Sequence, residues 1–246
     1  MKNIFKKIFG GKSQGNSEDG TNIYRYEQSN NNEGKIAYTP YAEEIAKHFN
    51  DVFPGRESIN IQEIISDITH IDITVMEGTE EQPFKILYST GMSSMPMTLP
   101  DEFPDESKEL YCRAELMMFL PRDWQITEES AKDQNNYWPV TLMKQLARFP
   151  HMYNTWLSYG HTIPNYETYD NYADNTGLNG TLLTAFKEEV SVINTKDGNR
   201  INIYCIIPVY KEEIEYKLEN GMDALMEKLD SVEWLILDPQ RENTCK

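Results

Sequence analysis

Residues 67–100 read DITHIDITVMEGTEEQPFKILYSTGMSSMPMTLP. Ile71, Ile73 and Val75 alternate with Asp72 and Thr74, the period of a strand with one buried face. Glu77 to Pro83 is polar, holds a Gly and a Pro, and reads as a turn. Phe84 to Thr90 reads as a second strand, which the chain leaves through GMSSMPM, Gly91 to Met97. Two adjacent strands with this exit put the centre of a sheet here.

Working outward, the acidic stretch Pro100 to Lys108 reads as a loop. Glu109 to Leu120 sets Leu110, Cys112, Ala114, Leu116, Met118 and Leu120 on one parity. Tyr111, Arg113, Glu115, Met117 and Phe119 stand on the other, so the pattern predicts one long strand, buried on one face and amphipathic on the other, closed by Pro121. Upstream, Thr39-Pro40 is a helix start, with Ala42, Ile45, Phe49 and Val52 at core-facing spacing, Glu43 and Glu44 in the first turn, and Pro54-Gly55 as the stop. Ile59 to Ile65 fits a strand or a short helix.

Downstream, Pro139 opens a helix carrying Val140, Leu142, Met143, Leu146 and Ala147, and Phe149-Pro150 ends it. Residues 151–164 are aromatic-rich, with a turn or bulge at Gly160-His161, and Asn165 to Gly180 has the composition of a long surface loop. Leu182 to Ile193 and Ile201 to Tyr210 form a hairpin through Asp197-Gly198. Glu212 to Leu229 is helical with a break at Gly221, and Trp234 to Leu237 is a last short strand. Hairpins mixed with separated helices predict an α+β fold, a mixed and largely antiparallel sheet flanked by helices.

The chain has 246 residues, enough to bury a substantial core. Its folded part is expected over residues 36–246, preceded over 1–35 by a basic start and a Ser/Asn/Gly/Glu-rich linker arm. The opening MKNIFKKIFGGK spaces Ile4, Phe5, Ile8 and Phe9 as a helix would, and reads either as a surface or membrane-touching helix or as a frayed start. No apolar run approaches the roughly 18–20 residues that span a bilayer, so no stable membrane anchor is expected. Three cysteines, Cys112, Cys205 and Cys245, have no ligand spacing, and with no export signal the expected compartment is the reducing cytoplasm. A formal charge of −17 disfavours nucleic acid, whose binding needs a basic face, and suits attraction of a basic partner.

No metal or cofactor motif is present: His48, His70, His151 and His161 share no HxxxH or HExxH spacing, and neither GxxxxGK[ST] nor GxGxxG occurs. His70 and Asp72 share a strand face about 7 Å apart, as a metal pair or a hydrogen-bonded face. Ser93 follows Gly91 after a strand, as a nucleophile or as a turn serine, but the GxSxG elbow is broken by Met95 and Pro96. Ser93, His161 and Asp72 could compose a hydrolase triad. The adjacent pairs Glu188-Glu189 and Glu212-Glu213 read as solvated faces. Arg241 beside Asp238 reads as a buried ion pair tying down the tail, or as a carboxylate-binding arginine. Tyr137, Trp138, Tyr153, Trp156, Tyr159, Tyr166, Tyr169 and Tyr172 crowd the middle of the chain, as core edges or as anchors of a protein-binding surface.

THIDITVM, PFKILYSTGMSSMPM and ELYCRAELMMFLP resemble the suppressor-of-fused domain in its bacterial form. YWPVTLMKQLARFP, SYGHTIP, IYCIIPVYKEEIEYKLENGMDALMEKL and LDPQREN continue the resemblance in order, over roughly Ile36 to Asn243. It implies a mixed α/β fold of sheets flanked by helices and no catalytic role. In animals the domain holds a peptide segment of a transcription factor; bacterial relatives are thought to include immunity proteins that neutralise a cognate toxin. The family's recurrent residues correspond here to Asp72, Gly91, Ser93, Gly160, His161, Asp238 and Arg241. Only the one domain is matched, so a transcription-factor partner is not implied. The expected function is therefore a non-enzymatic protein-binding domain, an immunity protein for a basic toxin, with Asp72, Gly91, Ser93, Trp156, Tyr159, His161, Asp238 and Arg241 as binding candidates. A hydrolase and a peripheral membrane adaptor using residues 1–12 are the alternatives.

Overall fold

The computed structural model describes residues 9–16, 22–26, 39–63, 69–127 and 129–246. Strands β1 (Phe9–Asn16) and β2 (Asn22–Tyr26) pair antiparallel as a separate two-stranded sheet. Both strands lie within residues 1–35, the basic start and linker arm of the sequence reading. Of the helically spaced Ile4, Phe5, Ile8 and Phe9, only Phe9 is described, in β1; residues 27–38, with the predicted start of the fold at Ile36, lie outside the described residues.

Helix α1 spans Ala42–Val52 and buries Ile45 and Phe49. The expected Thr39 hydroxyl cap is not used; Thr39 offers its carbonyl to the Ala42 amide at 3.2 Å, and Tyr41 is the cap residue. A turn at Pro40-Tyr41 delays the helix and lets the Tyr41 ring enter the core, with its hydroxyl donating to Asp197 at 3.0 Å. Strand β3 (Ser58–Ile61) settles the first part of the ambiguous segment; Ile64 and Ile65 lie outside the described residues. Strands β4 (Asp72–Met76) and β5 (Phe84–Thr90) are the predicted pair, registered Asp72 to Thr90 through Met76 to Ile86. Every residue of β4 is buried, so both faces are covered where one was expected.

Two corrections follow. Helix α2 (Asp105–Tyr111) occupies the start of the predicted long strand, and strand β6 begins only at Ala114 (Ala114–Pro121). Pro104 sets the entry and Asp105 and Glu106 complement the amide dipoles of the first turn, start signals that outweigh the alternation through Leu110 and Cys112. Strand β6 is buried on both faces, not amphipathic. Helix α3 (Gln134–Tyr153) contains both prolines that were expected to bound it. Asp133 caps it, accepting from the Asn135 amide at 3.0 Å. Pro139 has no N–H to give the Asn135 carbonyl; the Asn175 side-chain amide satisfies that oxygen instead at 3.1 Å.

Then come β7 (Thr162–Pro164), β8 (Gly180–Thr184), the one-turn α4 (Glu188–Ser191), β9 (Val192–Asn194) and β10 (Arg200–Val209). The predicted strand from Leu182 to Ile193 is thus broken in two, and the turn at Gly198 (φ +87°) joins β9 to β10. The loop before β8 is not wholly superficial: Thr176 and Leu178 are buried, and Tyr172 stacks on Trp138 at 5.1 Å. Helices α5 (Lys211–Asn220) and α6 (Met222–Leu229) meet at Gly221 (φ +89°), the predicted break. The last predicted strand reduces to one bridge, Ile236 to Phe119.

The main sheet runs β3-β4-β5-β6-β10-β8-β7, with β9 also on β10. Of the named strands only β6 and β10 pair in parallel, and the Ile236 bridge to Phe119 is also parallel; the other strand pairs are antiparallel. This is the expected α+β class. Alternate side chains feed two apolar clusters. Ile73, Val75, Leu87, Leu116, Met118 and Ile206 meet α3; Met76, Ile86, Tyr88, Met117, Phe119, Cys205 and Ile207 meet α1, α5 and α6. Helices on both sides explain why the strands read as near-continuous apolar runs. Each fully buried aliphatic side chain contributes about 1.5–3 kcal/mol.

Candidate protein-binding groove

The exit from β5 is built around a carboxylate. Glu115, on β6, is fully buried and accepts four hydrogen bonds: from Ser89 Oγ at 2.6 Å, Gly91 N at 2.9 Å, Ser93 N at 2.9 Å and Ser93 Oγ at 2.6 Å. Burial raises its pKa to about 7 despite these donors. Arg113 donates to Ser93 O at 2.6 Å, and His151 Nε2 lies 2.8 Å from Met92 O. Gly91 holds φ +112°, and a Cβ there would stand 1.9 Å from the His70 carbonyl. Gly91 and Ser93 therefore shape a turn in the interior.

Asp72 accepts from His70 Nε2 at 2.8 Å and from the Glu63 amide at 2.9 Å, the hydrogen-bonded arrangement for this pair. Glu63 in turn is ion-paired with Arg148 of α3. His161 packs edge-on against Trp156 at 4.4 Å, and Trp156 against Phe103 at 5.2 Å. Burial, then the Lys217 ammonium, lower the His161 pKa to about 4. Among the described residues no hydrogen bond joins Ser93, His161 and Asp72. No group of three or more His, Cys, Asp or Glu among them is placed to hold a metal ion.

At the tail, Arg241 forks onto Glu213 of α5, at 2.7 Å and 2.5 Å, and donates to Pro208 O at 3.1 Å. Its partner is thus not Asp238, which instead accepts from the Gln240 amide at 2.8 Å. Glu213 is fully buried, a correction to its reading as part of a solvated face, and it also takes the Thr244 amide and hydroxyl at 3.1 Å and 3.0 Å. Desolvation raises its pKa, but the Arg241 guanidinium together with the Tyr210 and Thr244 amides holds it below the usual carboxylate value. Asp238 and Arg241 fasten the C-terminal segment.

Of the sequence candidates, Tyr159 and Asp238 are exposed, and Tyr159 borders a cavity. Tyr159 is 51 % exposed, at the rim of a groove of about 360 Å³ lined also by Tyr111, Ser158, Phe186, Glu188, Arg200, Asn202 and Tyr204. Of the four large apolar side chains left exposed among the described residues, Tyr111 and Tyr159 line this groove and Leu110 adjoins it on α2; Ile59 on β3 is the fourth. Asn202 holds the parts together, donating to Leu110 O at 2.8 Å and Arg113 O at 3.2 Å and accepting from Arg200 Nε at 3.2 Å. Its walls come from α2, the 158–159 turn, the 185–191 excursion and β10, which are distant in sequence. Tyr111 and Arg200 gave no sequence signal: the first was assigned to a strand, the second to a hairpin. Glu115 did give one, a lone carboxylate in an otherwise apolar strand.

No helix of the described residues is long and apolar enough to cross a membrane. The chain resembles in fold a protein described as a suppressor of fused homologue from Neisseria gonorrhoeae FA 1090, at 12% identity and TM-score 0.59, covering 83% of this chain and 96% of that one. It also resembles a chain of the Sufu-Fu complex crystal structure, at 17% identity and TM-score 0.60, covering 84% and 93%. Drosophila Suppressor of Fused matches at 17% identity and TM-score 0.59 over 84% of this chain, which spans only 51% of that one. No curated protein matches in sequence. The family model described as Suppressor of fused protein (SUFU) matches residues 67–242, from the approach to β4 to the Arg241 anchor, and the chain belongs to that family.

Proposed function

We propose that this chain is a non-enzymatic cytoplasmic binding protein, an immunity protein that occludes a cognate toxin with the groove beside Tyr159. One observation carries the reading. Two of the four large apolar side chains exposed among the described residues, Tyr111 and Tyr159, line a single concave site, and a third, Leu110, precedes Tyr111 on α2. Tyrosines at the centre of an interface supply large contact area at low entropic cost, and scattered exposure would not group them so. One structure of similar fold is a complex of Sufu with Fu, which supports protein binding as the mode of action. The net charge of −17 supports a basic partner, since complementary potentials speed encounter.

Affinity capture from the native host with the full chain as bait, beside a Tyr159→Asp bait, tests this. The expected result is a toxin domain that the Tyr159→Asp bait loses. Recovery of abundant housekeeping proteins alone, equally by both baits, overturns the reading.

A further inference from the structure

A cation sits in this groove although the protein is strongly acidic. Arg200 lines the cavity together with Tyr111, Tyr159, Tyr204 and Phe186. Its Nε is committed to Asn202 Oδ1 at 3.2 Å, which fixes the plane of the guanidinium. Among the described residues Arg200 forms no ion pair, although Glu188 lines the same cavity. The other arginines described as buried or half-buried are engaged: Arg241 on Glu213, Arg148 on Glu63, Arg113 on the Ser93 carbonyl and Arg56 on the Glu77 and Phe84 carbonyls. A planar fork at an aromatic-walled cavity, with no carboxylate partner of its own, matches a carboxylate in both geometry and charge.

The helices that reach the groove carry the opposite sign. Asp105, Glu106 and Glu109 are exposed on α2, the helix that ends at Tyr111, and Glu188 and Glu189 are exposed on α4. Lys108 on the same helix is engaged with Asp105 at 3.7 Å. The groove thus holds Arg200 and Glu188, and the two helices that reach it, α2 and α4, carry further exposed acids, with Lys187 at the start of α4.

We propose that the groove takes one segment of a partner protein, with a carboxylate that docks on Arg200 between lysine or arginine residues that meet the α2 and α4 acids. The carboxylate belongs to an Asp or Glu side chain or to the partner's chain end. This deepens the binding reading above and rests on it. The aromatic walls exclude water around the carboxylate–guanidinium pair, so that pair sets the register of the segment. The exposed acids add encounter rate and salt dependence, and less affinity.

Selection of a displayed library of random peptides about a dozen residues long against the full chain tests this. The expected binders carry one acid at a fixed position between basic residues, or one acid at a free C-terminus preceded by them. As synthetic peptides they lose at least about tenfold in affinity for Arg200→Glu, and less for Arg200→Lys. A peptide with that acid changed to Lys should in turn bind Arg200→Glu better than it binds the parent. Thermal melts of both variants matching the parent exclude a folding defect. Binders with no fixed acid, binders indifferent to Arg200→Glu, or no binders at all overturn the proposal. Loss of the toxin in the capture experiment is a separate result: a toxin captured through Tyr159 but indifferent to Arg200→Glu sinks this inference and leaves the binding reading standing.

Discussion

Glu115 is a carboxylate kept from water with no cation against it, held only by two serine hydroxyls and two amides. Its folded-state pKa of about 7 exceeds the ordinary 4.5, so the folded protein holds that proton more tightly than the unfolded chain. Its contribution to stability is complete below 4.5 and is lost as pH rises through about 7, on the order of 3 kcal/mol. Between pH 5 and pH 8 the stability of Glu115→Gln in urea denaturation should rise relative to that of the parent; an identical pH dependence in the two would refute the assignment. His161 acts in the opposite direction. With its pKa lowered from 6.5 to about 4, the fold favours the neutral ring, and its contribution is lost as pH falls across that window. His161→Gln should remove that acid-side loss in the same titration. Ser93, whose place after a strand suggested a nucleophile, spends its hydroxyl on Glu115.

At the scale of elements, two short segments fix how the sheet is closed. The turn leaving β5 brings Gly91 against the His70 carbonyl, at a backbone angle of φ +112°. Gly91→Ala combines a left-handed strain of about 1–3 kcal/mol with a clash that backbone must move to relieve. Gly198→Ala, at φ +87° in open space, meets the strain alone. Thermal melts should therefore rank Gly91→Ala well below Gly198→Ala, and equal losses would show that the close approach is not maintained. The C-terminal segment is held by Arg241 on Glu213. Arg241→Ala strands a buried carboxylate and should cost about 3–5 kcal/mol. Limited proteolysis should then cut within residues 238–246, and an equally resistant variant would count against the anchor. Helix α2 shows how local pattern misleads: alternation through Leu110 and Cys112 looks like strand, yet Leu110 is 44 % exposed on a helix.

For the whole molecule, the charge of −17 and the location of the exposed tyrosines make one joint prediction. Tyr159→Ala should leave the melting temperature unchanged while raising the dissociation rate of the captured partner about tenfold or more. Raising the salt concentration should instead slow association. Surface plasmon resonance separates the two, and a tyrosine effect confined to association would contradict an anchor. The sequence by itself determined the class of fold, the β4-β5 pair, the α1 stop, the α5-α6 break at Gly221 and the family. Each is a local matter: side-chain period, turn residues and a glycine's positive φ act over a few neighbouring positions. Tertiary structure alone decided that the central strands are covered on both faces, that Pro139 lies inside α3, that Arg241 meets Glu213, and that Tyr111, Tyr159 and Arg200 share a groove. Those outcomes depend on partners supplied from far along the chain, such as the Asn175 amide that satisfies the carbonyl freed by Pro139. Spacing along a sequence carries no record of which distant atom will satisfy a buried polar group; only the packing of helices on both sides of the sheet selects it.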